Sequence, residues 1–208
     1  KTQAMSIDEV KEQIKSYCST LDQETFTELA YFGGSFTGIA ASLQESYLSL
    51  AYEYKQAGTI HAIRLSTRPD YISTEILERL KKYSVDIIEL GVQSLDDNIL
   101  AATKRGHQVS DVYKAVNLIK TYGFGLGIQL MVGLPGDTKE TAVQSARLAA
   151  LLQPDFVRIY PTLVIRETEL ASLSLCGEYS PLSLDTAVDW TREMYQVFLD
   201  SHIAVIRM

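Results

Sequence analysis

Short apolar runs alternate with longer helical patterns along this chain, and that alternation constrains its fold more than any other feature. Strand-forming stretches end at Phe32, Leu65, Leu90, Val132 and Tyr160. Helical periodicity follows each of them, over about Ala40–Gln56, Ser73–Leu80, Ser110–Ile119, Lys139–Leu152 and Ser183–Phe198. A last short strand is predicted at Ile203–Ile206, and a helix opens the described pattern, capped by Ser6 with Glu9 three residues on. Lys1-Thr2-Gln3-Ala4 reads as an untethered lead-in. Strand followed by helix, repeated without a low-complexity linker, predicts a single α/β domain over residues 1–208 with a parallel sheet and right-handed crossovers. In both barrels and open sheets of this kind, ligands sit at the carboxyl ends of the strands.

The unusual residues gather at those ends. Gly33-Gly34-Ser35 lets a polar ligand approach the main chain with no Cβ in the way. Ser66-Thr67-Arg68, Gln93-Ser94, Gln129 and Tyr160-Pro161 add hydroxyl, guanidinium and amide groups. General-base chemistry is sparse: His61 and His202 read as structural, and His107 beside Arg105 reads equally as structural or functional. The Asp8-Glu9 and Asp96-Asp97 pairs sit at helix starts, where the helix dipole favours them. No nucleophile–base pair, zinc spacing or P-loop is present. The formal charge of −7 argues against a broad nucleic-acid or anionic-membrane surface, though not against a local basic cleft. No apolar run has the length of a membrane span, and Cys18 and Cys176 show no motif spacing, so a cytoplasmic protein with two packed helix-face thiols is expected. On these grounds the reactive centre would come from something other than these side chains.

Phe32-Gly33-Gly34-Ser35-Phe36, Thr67-Arg68-Pro69-Asp70-Tyr71, Glu89-Leu90-Gly91-Val92-Gln93-Ser94, Arg105-Gly106-His107 and Gly133-Leu134-Pro135-Gly136 occur in one order. That series resembles the radical S-adenosylmethionine (radical SAM) superfamily, in particular the catalytic subunit of Elongator, which modifies wobble uridines in tRNA. The Gly-Val-Gln-Ser and Gly-Leu-Pro-Gly elements also resemble oxygen-independent coproporphyrinogen III oxidases. The resemblance implies a partial (β/α)6, TIM-like barrel. It would hold S-adenosylmethionine against a 4Fe–4S cluster that generates a 5′-deoxyadenosyl radical. An electron donor such as flavodoxin or ferredoxin, and tRNA or a tetrapyrrole as substrate, are the implied partners.

Carried over residue by residue, Gly33, Gly34 and Ser35 match the turn that binds the methionine amino group. Gln93 matches the glutamine aimed at ribose or carboxylate, and Arg105 the basic residue suited to the carboxylate. Gln129 stands where an aspartate usually holds the ribose, Pro161 where main-chain groups meet adenine, and Ser66 where a glutamate is usual. The cluster is ligated in the family by a CxxxCxxC loop after the first strand, which this sequence lacks. The expectation is a chain without that first strand and loop, inactive by itself. The alternatives are a cluster-free barrel that binds nucleosides or S-adenosylmethionine, and an unrelated aldolase-like barrel, which would want a strand-end lysine.

Overall fold

A computed structural model describes residues 5–22 and 24–208; the lead-in at Lys1–Ala4 lies outside them. Six strands form one all-parallel sheet in sequence order: β1 (Glu28–Tyr31), β2 (Ala62–Thr67), β3 (Ile87–Gln93), β4 (Gly125–Val132), β5 (Phe156–Pro161) and β6 (Ala204–Arg207). Each strand pairs in parallel with the next. The sheet curls into a half-barrel, the partial TIM-like architecture expected from the sequence.

The curl separates two kinds of strand face. Ile63 and Leu65, Ile88 and Leu90, Ile128 and Leu130, and Val157 and Ile159 point outward and are fully buried. The helices are α1 (Ile7–Cys18), α2 (Ala41–Gln56), α3 (Thr74–Lys82), α4 (Asp97–Ala102), α5 (Val109–Thr121), α6 (Lys139–Leu151), α7 (Glu169–Leu175) and α8 (Leu184–Asp200), and buried side chains of α2, α3, α5, α6 and α8 cover the outer face. The inner face carries Arg64, Ser66, Glu89, Gly91, Gly127, Gln129 and Arg158, joined by register across the strands. Burial of the outer leucines, isoleucines and valines, roughly 1.5–3 kcal/mol each, drives the fold and leaves the inner face free for polar groups.

Capping follows the sequence at most helix starts. Ser6 and Glu9 form the reciprocal box, and Ser73 and Ser183 accept from Ile76 and Thr186 N–H. Ser110 does not cap α5; Gln108 takes that place, its N–H donating to the Asp111 carboxylate at 3.0 Å. The predicted second strand lies two residues later than expected, and the third runs on through Gln93 rather than stopping at Leu90. Cys176 is not a helix-face packing residue: it is the exposed C-cap of α7.

The amino ends of the strands are pinned by aspartates. Asp86, just before β3, accepts the Ile63 N–H of β2 at 2.7 Å and the Lys55 ammonium at 2.6 Å. Asp155, just before β5, accepts the Leu126 N–H of β4 at 2.7 Å. Backbone bonds repeat the arrangement, from Asp86 N–H to Ile63 O and from Asp155 N–H to Leu126 O, both 2.9 Å. A one-residue slip would break these bonds and turn the inner face outward. Among the described residues no helix is long and apolar enough to cross a membrane.

Candidate functional site

The carboxyl ends of β1–β6 surround a cleft of about 540 Å³, within the roughly 300–1,000 Å³ of small-molecule sites. Gly33, Gly34, Ser35, Ser66, Gln93, Arg105 and Gln129 all line it. Pro161 does not. It borders a separate apolar groove of about 600 Å³ with Val132, Leu163, Leu184 and Val188.

The glycine turn follows β1 directly. Gly33 has φ +100°, and a Cβ on either Gly33 or Gly34 would meet nothing within 4 Å, so the turn faces open space. Ser35 precedes a short 3-10 turn (Phe36–Gly38) without capping it, which leaves its hydroxyl uncommitted there. Thr37 ties this loop to the next one, its hydroxyl 2.6 Å from that of Thr67 and 3.0 Å from the Tyr71 carbonyl.

Gln93 is held in a strained backbone. Its φ is +70°, and the Ser94 N–H bonds back to the Val92 carbonyl at 2.9 Å, a three-residue turn inside a register break of β3. The break aims the Gln93 amide at Gln129, whose Nε2 donates to Gln93 Oε1 at 2.9 Å. Gly91 permits this, because a Cβ there would come within 2.9 Å of Gln93 Nε2. His107 is buried and sits against the same Val92 carbonyl through Nε2 at 3.2 Å. Burial holds its pKa below 6.5 against that hydrogen bond, so it serves the bulge as a neutral donor. The structural reading of His107 is the one this geometry favours.

Arg105 reaches the cleft beside Arg68. Its Nη2 bonds the Gly91 carbonyl at 3.4 Å, and its buried Nε has no partner. Burial, then the Arg68 charge, lowers its pKa from the ordinary arginine value, and the group stays protonated. Arg68 is gripped by Asp70 through bonds of 2.9 and 2.7 Å and lies over the Tyr71 ring. Gly106, at φ +81°, makes room for it: a Cβ would stand 2.6 Å from Arg68 Nη2. Two cations with one carboxylate between them suit an anionic group.

Sequence reasoning missed the charged floor of the cleft. Glu89 is fully buried, with Arg158 Nε 3.4 Å from Oε2, and neither of its oxygens has a hydrogen-bond partner. Burial pushes its pKa up, and Arg158 and Arg64 oppose the shift. Arg64 pairs with Glu28 at 2.5 Å. Phe32 lies between both arginines, 4.7 Å from the Arg158 guanidinium and 5.5 Å from that of Arg64. The signal was available: Arg64, Glu89 and Arg158 each interrupt an apolar strand, and a buried charge requires a partner.

The residues fit S-adenosylmethionine: an open glycine turn, an amide pair for hydroxyls, and an orphaned guanidinium for a carboxylate. They do not fit an iron–sulfur cluster. Among the described residues no three His, Cys, Asp or Glu side chains gather to hold a metal, and Cys18 and Cys176 lie on α1 and after α7.

A parallel half-barrel with a polar, arginine-bearing cleft at its strand ends is an α/β barrel with a site of small-molecule size. The comparisons narrow this. The radical SAM superfamily profile matches residues 1–149, and the radical SAM C-terminal domain profile matches residues 154–208. The chain belongs to the radical SAM superfamily, a family of enzymes that use S-adenosylmethionine and a 4Fe–4S cluster.

It is 37% identical to a tRNA uridine(34) acetyltransferase of Methanocaldococcus infernus, over 62% of this chain and 24% of that protein. It is 28% identical to Elongator complex protein 3 of Saccharomyces cerevisiae, over 91% of this chain and 39% of that protein. The solved archaeal Elp3 of Methanocaldococcus infernus superposes with a TM-score of 0.77 at 28% identity, over 90% of this chain and 48% of the other. The chain thus spans at most about half the length of these proteins.

Proposed function

We propose that residues 1–208 form one S-adenosylmethionine-binding barrel domain of an Elongator-like radical SAM enzyme. The observation that carries this is the convergence of Gly33, Gly34, Ser35, Gln93, Arg105 and Gln129 on one cleft. S-adenosylmethionine, when bound, would supply the reacting group, and these residues would position its nucleoside. The glycine turn offers main-chain groups to the methionine amino end, and the Gln93–Gln129 pair offers amides to the ribose hydroxyls. Arg105 takes the carboxylate through its planar fork. Ser66, lining the same wall, can donate a hydroxyl bond but cannot supply the charge of the glutamate usual there.

The relatives' names make a uridine of tRNA the substrate class to test first. The net charge of −7 leaves the arginine-lined cleft as the surface suited to it.

Calorimetric titration of the 208-residue chain with S-adenosylmethionine tests the cofactor reading. Arg105→Gln and Gln93→Ala should each weaken binding about tenfold or more, the worth of a charge-assisted or well-placed hydrogen bond. Leu151→Ala, on the exposed end of α6, should not change it. Equal affinities for all four proteins would refute the assignment.

A further inference from the structure

The side of the cleft away from Arg68 and Arg105 carries a second concentration of positive charge. Arg158 lies within β5, and Arg207 is its register partner on β6. Both line the cleft, as does Tyr160. Only 9% of Arg158 is exposed, yet its one hydrogen bond among the described residues is from Nη1 to the Tyr160 hydroxyl, at 3.3 Å. Its Nε lies near Glu89 without hydrogen-bond alignment, and Phe32 covers one face of the guanidinium.

Like charges on neighbouring strands repel. Arg64, Arg158 and Arg207 share this inner surface with Glu28 and Glu89, and Glu28 is committed to Arg64. That leaves Arg158 and Arg207 with a single buried carboxylate between them, which reaches one guanidinium poorly. A nine-tenths-buried arginine with free donors aimed into a cavity is costly unless an anion completes it. Arg158 stands beside Gln129, its register partner on β4, and Arg207 lies one strand further from it within the same cleft.

We propose that Arg158, Arg207 and the Tyr160 hydroxyl form an oxyanion subsite. It takes a carboxylate or phosphate group of the molecule that reacts beside the cofactor. The fixed fork of Arg158 sets the plane of the anion, Tyr160 holds the fork and can add a donor, and exposed Arg207 closes on it from β6. Glu89 Oε2 lies beneath the guanidinium, 3.4 Å from Arg158 Nε. The identity of the anion's carrier as substrate rests on the cofactor reading above; the subsite itself does not.

The test is a titration of the 208-residue chain, labelled with 15N-arginine, using inorganic phosphate and acetate separately with and without S-adenosylmethionine. Saturable shifts of the Arg158 and Arg207 Nε–Hε signals are expected, and they should persist with S-adenosylmethionine bound. Tighter binding of phosphate assigns a phosphate carrier; binding of acetate at least as tight assigns a carboxylate. Arg207→Gln should weaken the anion about tenfold or more, whereas Arg105→Gln should weaken S-adenosylmethionine and spare the anion. Arg158→Gln would strand the Glu89 charge and risk misfolding, so the double substitution Arg158→Gln/Glu89→Gln is the second variant, and it should abolish binding.

Absence of saturation by either anion up to about 100 mM, or unchanged binding in both Arg207→Gln and the double variant, overturns the subsite. Intact anion binding in a wild-type chain that takes up no S-adenosylmethionine would instead overturn the cofactor reading and leave the subsite standing.

Discussion

His107 shows how one side chain can serve a ligand site without touching the ligand. It stands between the Val92 carbonyl, which the strained turn at Gln93 also uses, and a buried pocket where its Nδ1 has no partner. Because burial holds its folded pKa below 6.5, the unfolded chain takes up a proton first as the solution acidifies. Its contribution to stability is therefore complete above pH 6.5 and lost as pH falls from there through the folded value, at no more than about 1.4 kcal/mol per pH unit. His107→Gln keeps a donor for Val92 but does not titrate. Urea midpoints measured at pH 7.5 and 5.5 should fall for the wild type relative to this variant, and parallel midpoints would show that His107 titrates normally. The sequence placed His107 beside Arg105 but could not choose its role, since the deciding carbonyl comes from another strand's irregularity.

At the level of strands and helices, local chemistry was legible and tertiary register was not. Ser6, Ser73 and Ser183 announced their helices because a hydroxyl before an amphipathic run has one good use. Ser110 misled because Gln108 and Asp111 close the same turn two residues earlier. The strand ends shifted because pairing partners, not propensity, set where a ladder stops. Arg64, Glu89 and Arg158 were not legible for a related reason: the face a mid-strand residue takes is set by the same register.

Two glycines separate packing from binding at this scale. A Cβ at Gly127 would stand 2.5 Å from the Phe156 ring and 3.2 Å from Glu89 Cγ, so Gly127→Ala should cost about 1–3 kcal/mol in denaturant titration. Gly34→Ala meets nothing in the fold and should leave the denaturation midpoint in place while weakening S-adenosylmethionine, because its methyl enters the cleft. The reverse pattern would show that the roles assigned to these two positions are exchanged.

As a whole, the molecule is a sheet with two ends. Among the described residues β1 pairs only with β2 and β6 only with β5, and no residue of β1 is fully buried. An unpaired edge is a template for another chain. Sedimentation of the 208-residue chain at rising concentration should therefore show association beyond the monomer; a single monomeric species at the highest concentration would count against an available edge. The family and the parallel half-barrel could be anticipated from strand-end motifs, and seven of the eight residues expected at one cleft line it. Pro161 does not, because one residue's step along β5 carries it out of the polar cleft and into the apolar groove.

The paired aspartates at the amino ends of β3 and β5 divide the labour of the barrel between its two ends. Asp86 and Asp155 settle strand register at the end of the barrel remote from the cleft. Correct threading is therefore assured before any cleft residue is consulted. With register anchored there, a strand-end residue such as Ser66 or Gln129 can be exchanged without putting the fold at risk. Threading and recognition are thus housed at opposite ends of the same strands, and a change at one end leaves the other intact.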